Sequence, residues 1–103
     1  LVKTVGGRWA VDVVLSDAAP AVSGVRTTDH ARSVDLCEEA LAFGEKVLRP
    51  GGALVCKLLS GPDDAEVVER ARELFDRVRK YKPKASRSES NELYVVCQGR
   101  RLQ

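Results

Sequence analysis

The segment ALVCKLL at residues 53–59 decides the fold that this sequence predicts. It is apolar except for Lys57, and turn-forming residues flank it, with PGG at residues 50–52 and SGP at residues 60–62. A short apolar run bounded by glycine and proline is typical of a strand covered on both faces in a parallel sheet. We therefore expect a buried strand at residues 53–59, preceded by a tight turn.

Apolar residues recur at helical spacing on both sides of this strand, which predicts two helices. In the upstream helix, which we expect to be capped by Asp29 and to end at Arg49, they are Val34, Cys37, Leu41, Gly44 and Leu48. In the downstream helix, which we expect to be capped by Asp63 or Asp64, they are Val67, Val68, Ala71, Leu74, Phe75 and Val78.

Three further strands are predicted near the ends of the chain, at residues 9–15 (WAVDVVL), 79–82 and 93–97. The order strand, helix, strand, helix, strand, strand predicts an α/β fold. Its last two strands have no helix between them, so we expect an antiparallel pair at one sheet edge. A doubly wound nucleotide-binding sheet has two such halves, and these 103 residues supply one, without a Gly-rich loop.

Composition bounds the class of protein. A chain of 103 residues with 44% hydrophobic residues predicts a single domain with a packed core. Its apolar runs are far shorter than the roughly 20 residues of a membrane span, and its first residues lack the pattern of a secretory signal. We expect no membrane association, and we interpret the start at Leu1 as that of a fragment or processed product.

Cysteine and histidine usage gives no metal motif. Cys37, Cys56 and Cys97 lack the close spacing of zinc or redox motifs, which favours buried free thiols in an intracellular, reducing compartment. His30 is the only histidine, so a structural role, or one near a bound polyanion, is favoured over metal binding. We therefore predict no metal site.

The charge is concentrated at one end of the chain. Residues 79–103 carry a net charge of +5, whereas the rest of the chain carries −3. Such a segment suits a polyanion, although it also fits a merely solvated face. The candidate residues for contacts to the phosphates of such a polyanion are Lys80, Lys82, Lys84 and Arg87.

Two side chains stand out as chemical candidates. Asp17 follows the first strand, at the position where open α/β sheets bind ligands, but it could also be an ordinary turn residue. Lys57 lies inside an apolar strand, and an unpaired buried ammonium is unfavourable, which favours a functional role over simple extension to solvent. Glu92 at the start of the last strand would not attract notice alone.

Ordered motifs along the chain carry a family resemblance. They are LSDAAP at residues 15–20, SG at 23–24, DH at 29–30, LRPGG at 48–52, VCK at 55–57, KPKASR at 82–87 and ELY at 92–94. Together they resemble the FtsJ (RrmJ) family of S-adenosylmethionine-dependent RNA 2′-O-methyltransferases, and members acting on large-subunit ribosomal RNA are the most similar. The resemblance covers residues 12–99.

The resemblance implies a Rossmann-like methyltransferase sheet in which residues 1–103 form the C-terminal part of one domain. Asp17, Lys57 and Glu92 would be the last three members of the family's Lys-Asp-Lys-Glu tetrad, with Lys57 as the base and Asp17 beside the methyl donor. To act as a base, Lys57 needs a pKa depressed by burial and by a neighbouring cation, which would be the family's first lysine. The first lysine and the Gly-rich cofactor loop have no counterpart here, so we expect a missing N-terminal half as partner and an inactive isolated chain.

Two alternatives remain open. One is a catalytically inactive homologue that binds RNA as a ribosome-assembly factor. The other is a fragment of a dinucleotide-dependent oxidoreductase, which fits the fold but leaves Lys57 and residues 86–92 unexplained. The expected location is the cytoplasm, or alternatively the mitochondrion.

Overall fold

A computed structural model describes residues 11–17, 23–82 and 92–101. In chain order, the elements are β1 (Val11–Ser16), α1 (Arg26–Val47), β2 (Leu48–Leu59), α2 (Asp64–Leu74), β3 (Phe75–Tyr81) and β4 (Glu92–Arg100). This is the predicted α/β order. The first strand agrees with the expectation over residues 11–15, whereas Trp9 and Ala10 lie outside the described residues.

The four strands form one sheet in the order β1-β2-β4-β3. β1 and β2 are parallel and are joined through α1, as a parallel pair requires. β4 runs antiparallel to both β2 and β3, which confirms the predicted antiparallel pair.

The hydrophobic core lies between one face of this sheet and the two helices. The side chains of Leu54, Cys56 and Leu58 on β2 are at most 1% exposed. They join Cys37 and Leu41 of α1 in a cluster that also includes residues of α2. Because strand side chains alternate between faces, Val55, Lys57 and Leu59 project from the opposite face, which we call the open face.

The expected burial of β2 on both faces is therefore wrong for the described part of the chain. Residues of β2 that lie on the open face are half-buried, whereas Val13 and Leu15 of β1 are 59% and 68% exposed. All three cysteines are buried free thiols, as predicted. Neither α1 nor α2 has the length and apolar character needed to cross a membrane.

Helix α1 begins at Arg26, three residues before the predicted cap. Asp29 lies in its first turn, where its carboxylate accepts hydrogen bonds from the backbone N–H and hydroxyl of Ser23, at 2.9 and 2.8 Å. These bonds lower the pKa of Asp29. Asp29 therefore binds the loop before the helix to the first helical turn. The N-cap position is occupied by Val25 instead.

Helix α1 ends at Val47, and residues 50–52 belong to β2 instead of a separate turn. Val11 pairs with Leu48 but Val13 pairs with Ala53, so residues 49–52 bulge opposite one residue of β1. The strand pairing thus continues on both sides of the bulge. The apolar pattern of the sequence does not reveal such a bulge.

Helix α2 ends at Leu74, earlier than its apolar stripe indicated. Phe75 and Val78 belong to β3, which begins four residues before the predicted strand at residues 79–82. Both residues are apolar at helical spacing, but hydrogen bonding to β4 favours the extended chain here. The last strand contains the predicted residues 93–97 and extends beyond them at both ends.

We expect Gly52→Ala to destabilise the fold by about 2 kcal/mol, as overpacking does. A Cβ atom at Gly52 would lie 2.9 Å from the carbonyl oxygens of both Arg49 and Asp12, so the backbone of the bulge must shift. Urea denaturation measures the change. The control is Gly51→Asn, because the φ of +84° at Gly51 suits asparagine and the position is open. Equal losses in both variants would contradict the prediction.

Candidate active site

The structure brings together the three residues that the sequence singled out for chemistry. The Nζ atom of Lys57 lies 3.1 Å from Oδ1 of Asp17 and 3.3 Å from Oε2 of Glu92. Asp17 follows β1, Lys57 lies on β2, and Glu92 opens β4. Adjacent strands thus place two carboxylates around one ammonium at the edge where the parallel strands end.

Strand register explains why Glu92 reaches Lys57. Leu59 of β2 pairs with Glu92, and Lys57 pairs with Tyr94. Residues directly opposite each other in an antiparallel pair, and their diagonal neighbours, share a face within reach of long side chains. Glu92 is the diagonal neighbour of Lys57 on the open face.

Lys57 is largely enclosed, whereas its partners are not. Its side chain is 15% exposed, compared with 55% for Asp17 and 46% for Glu92. The ammonium is therefore held by ion pairs rather than extended into solvent. The structure supports a paired lysine over a simply solvated one.

The pKa of Lys57 is set by its two carboxylate partners and by burial. The hydrogen bond to Asp17 raises the pKa of Lys57 most, burial lowers it, and the bond to Glu92 adds to the rise, so that the two carboxylates together outweigh burial. A general base near neutral pH needs a lowered pKa. The described residues thus keep Lys57 a charged ammonium at neutral pH, and the depression that a neighbouring cation would cause stays a prediction.

Tyr94 belongs to this site, although its role was missed in the sequence. Its hydroxyl donates a hydrogen bond to Oδ1 of Asp17 at 3.3 Å. The available signal was its spacing: Tyr94 lies two residues after Glu92 on a strand, and therefore on the same face.

His30 fixes the end of β2 just beyond Lys57. The backbone N–H of Asp63 donates to Nε2 at 3.1 Å, so Nδ1 carries the proton and donates to the carbonyl of Leu59 at 2.6 Å. The backbone N–H of Leu59 in turn donates to the hydroxyl of Ser33 at 3.1 Å. We call His30, Ser33 and Leu59 the histidine clamp. His30 is 4% exposed, which supports its predicted structural role.

The predicted RNA-binding residues are only partly described. Lys80 and Lys82 are exposed, on β3 and just after it. Lys82 also donates to the backbone carbonyl of Glu92 at 3.0 Å and so ties β3 to the start of β4. Lys84 and Arg87 lie outside the described residues. Within the described ranges, no cluster of three His, Cys, Asp or Glu side chains could hold a metal ion.

Asp17 has the features that a cationic methyl donor requires of a neighbour. Both of its contacts use Oδ1, so Oδ2 has no hydrogen-bond partner among the residues described. A groove of about 480 Å³ lies beside it, lined by Leu15, Leu36 and Phe43 among others. An accessible carboxylate oxygen beside an apolar groove fits one part of S-adenosylmethionine, its positively charged sulfonium.

Comparison with known proteins also indicates a methyltransferase. The fold is similar to a solved Plasmodium falciparum protein assigned as a ribosomal RNA methyltransferase, with a TM-score of 0.81, 27% identity, and coverage of 92% of this chain and 50% of that one. The sheet and this likeness define a Rossmann-like methyltransferase fold. The model of the FtsJ-like methyltransferase family matches residues 1–100, and the chain belongs to that family.

Two relatives carry the name ribosomal RNA large subunit methyltransferase E. The one from Nitratidesulfovibrio vulgaris (strain DP4) is 50% identical over 90 residues, which cover 87% of this chain and 44% of the relative. The one from Caulobacter vibrioides is 44% identical over 99 residues, covering 96% and 43%. The chain thus spans less than half the length of these relatives.

The stability provided by Lys57 is expected to disappear at high pH. Its native pKa is raised, so its charge stabilises the fold fully below the unfolded-state pKa of about 10.4 and no longer does above the native pKa. Lys57→Met should therefore lower the free energy of unfolding by about 1 kcal/mol at pH 7. This difference should shrink as the pH rises above the unfolded-state pKa of the lysine.

Urea denaturation of both proteins between pH 7 and 11.5 measures this difference. Lys46→Met is the control, because Lys46 is exposed at the end of α1. A difference between wild type and Lys57→Met that stays constant across the range would contradict the assigned ion pairs.

Proposed function

We propose that this chain carries the catalytic side chains of an RNA 2′-O-methyltransferase that modifies large-subunit ribosomal RNA. The observation that supports this most directly is the ammonium of Lys57 held 3.1 and 3.3 Å from the carboxylates of Asp17 and Glu92. Membership of the FtsJ-like family and the names of the relatives support the reaction class and the substrate.

We propose residues 1–103 as the C-terminal part of a single methyltransferase domain. The relatives are more than twice as long as the matched region, which supports a second part that binds the cofactor. The exposed Val13 and Leu15 of the edge strand β1 provide surface for it, at the opposite side of the sheet from β3. The N-terminal half of the domain is thus the proposed protein partner, and ribosomal RNA is the substrate.

S-Adenosylmethionine would supply an electrophilic methyl group on a sulfonium and leave as a neutral thioether. In this chain, Asp17 would hold the sulfonium through its accessible carboxylate oxygen. No residue described here provides a Gly-rich loop for the rest of the cofactor. Asp17 is therefore the one cofactor-binding residue that we assign.

A ribose 2′-hydroxyl is a weak nucleophile at neutral pH, so transfer benefits from proton removal and close positioning. In the proposed step, the cofactor would supply the methyl group to the 2′-oxygen, and the hydroxyl proton would pass to neutral Lys57. Lys57 must first lose its own proton to solvent. A second positive charge beside Asp17 favours that loss, because it offsets the carboxylate that raises the pKa of Lys57.

Glu92 and Tyr94 would act by positioning. Glu92 holds the Lys57 side chain from the β4 side, and Tyr94 holds Asp17 through its hydroxyl. The histidine clamp immobilises the backbone two residues after Lys57. The ammonium is thereby held from three sides before substrate arrives, which lowers the reorganisation needed in the reaction.

RNA would approach the open face past the basic segment that contains Lys80, Lys82, Lys84 and Arg87. Lys80 and Lys82 are exposed in the structure, in keeping with phosphate contacts. An enzyme of this class acts where ribosomes are assembled, which for prokaryotic relatives is the cytoplasm. The relatives named above leave the mitochondrial alternative without support.

We expect Lys57→Ala to lower turnover by at least about a hundredfold, the lower range of general-base effects, with nearly unchanged RNA affinity. Lys57→Arg should not restore turnover, because its guanidinium stays protonated. The assay uses a chimera in which this chain replaces the matched segment of the Nitratidesulfovibrio vulgaris relative. Transfer of labelled methyl groups to ribosomal RNA measures turnover, and filter binding measures affinity.

The chimera also separates the alternatives. Lys46→Ala is the matched control and should leave turnover unchanged. Full turnover by Lys57→Ala would contradict the proposed role of Lys57 as the base. A well-folded chimera that binds RNA but transfers no methyl group would favour the inactive, RNA-binding assembly factor.

We expect Glu92→Gln to move the alkaline rise of the pH–rate profile toward lower pH. Glu92 contributes to the raised pKa of Lys57, so removing its charge makes Lys57 easier to deprotonate. The maximal rate should fall about tenfold as the positioning contact weakens. A series of initial rates from pH 6 to 10 in the chimera measures both effects, and a shift toward higher pH would contradict the mechanism.

A further inference from the structure

A basic groove lies at the β3 edge of the sheet, away from the candidate active site. Its volume is about 670 Å³, and its lining includes Arg72, Arg77, Arg79 and Arg101 together with Asp76 and Gln98. We call it the arginine groove. It draws on the end of α2, on β3 and on the end of β4, and it includes none of the residues proposed from the sequence to bind RNA.

The groove has more positive charge than its own residues neutralise. Arg101 pairs with Asp76 at 3.1 Å, and Arg72 pairs with Glu69 at 3.2 Å. Arg77 and Arg79 are exposed, and their guanidinium groups have no hydrogen bond or ion pair to any other residue that the structure describes. Two guanidinium groups are thus available to an anion.

The placement of these two arginines suits a chain of anions better than a single one. They are two residues apart on β3, so they share a face and their Cα atoms are separated by about 6.6 Å. Arg77 pairs with Gln98 and Arg79 with Val96, and these β4 residues alternate with the same parity as Tyr94, the partner of Lys57. Both arginine side chains therefore project from the open face, as that of Lys57 does. Guanidinium groups form bidentate hydrogen bonds to phosphate oxygens.

The groove is also within reach of a strand of RNA that occupies the candidate active site. Tyr81 pairs with Tyr94, which pairs with Lys57, so these residues form one row across three strands. Arg79 and Arg77 lie two and four residues from that row, or about 7 and 13 Å along β3. A few nucleotides cover this distance.

We propose that the arginine groove binds the phosphate backbone of single-stranded RNA, independently of base sequence, through Arg77 and Arg79. This inference rests on the proposed function for the identity of the polyanion. It extends the RNA surface from Lys80, on β3, and Lys82, just after it, to the earlier residues of that strand. It assigns the two arginines to binding without any part in methyl transfer.

The test is filter binding of the 103-residue chain to a twenty-nucleotide oligouridylate over a salt series. Each phosphate contact on a single strand contributes about 0.7 to the slope of log affinity against log salt. Arg77→Gln/Arg79→Gln should therefore flatten the slope by about 1.4, so that the affinity loss between about 50 and 200 mM salt becomes about sevenfold smaller. An oligonucleotide of different sequence should show the same change.

Two matched double variants make the result specific. Lys46→Gln/Arg70→Gln removes the same charge from the helices and should leave the slope within a few tenths of wild type. Lys80→Gln/Lys82→Gln tests the neighbouring lysines. A slope that changes only in this lysine variant would overturn the groove proposal, as would a wild-type chain that fails to bind RNA at low salt.

Competition by inorganic phosphate distinguishes a small-anion pocket from an RNA surface. The proposal would be overturned if millimolar phosphate abolished oligouridylate binding and Arg77→Gln/Arg79→Gln left the salt slope at its wild-type value. The measurement is independent of turnover: an arginine-dependent slope beside full turnover by Lys57→Ala would leave the groove standing and overturn the catalytic role of Lys57. Thermal unfolding of each variant checks that the edge strand is intact.

Discussion

The parallel pairing of β1 with β2, together with the antiparallel pairing of β2 with β4, is the constraint on which the rest of the structure depends. It places the end of β1 and the start of β4 on either side of Lys57. Alternation along β2 then separates two tasks. Leu54, Cys56 and Leu58 face the helices and form the core, while Lys57 faces the opposite side, so one strand supports both stability and chemistry.

The sequence revealed those parts of the structure that depend on local chemistry. Lys57 stood out because a charge within an apolar strand needs a partner, and Asp17 stood out because it follows a strand. Glu92 attracted notice only through the family resemblance. Its contact with Lys57 depends on the register between β2 and β4, and register is a property of two distant segments that neither segment shows alone.

The same limit accounts for the errors in the predicted elements. Phe75 and Val78 continue the apolar period of α2, but their backbone groups bond to β4, a segment about twenty residues further along the chain. The bulge at residues 49–52 likewise exists because β1 pairs around it. The raised pKa of Lys57 in this chain has a related cause: burial alone lowers the pKa of a lysine, and the stronger opposing effect comes from carboxylates that the fold supplies.

The histidine clamp constrains how this sequence can vary. A Cβ atom at Gly61 would overlap the ring of His30, so a side chain fits at position 61 only where a smaller residue replaces the histidine. Losing the histidine also leaves the carbonyl of Leu59 and the N–H of Asp63 without their present partners. Positions 30 and 61 are therefore coupled, and an evolutionary path that changes either one must pass through an intermediate with a crowded or an unsatisfied strand end.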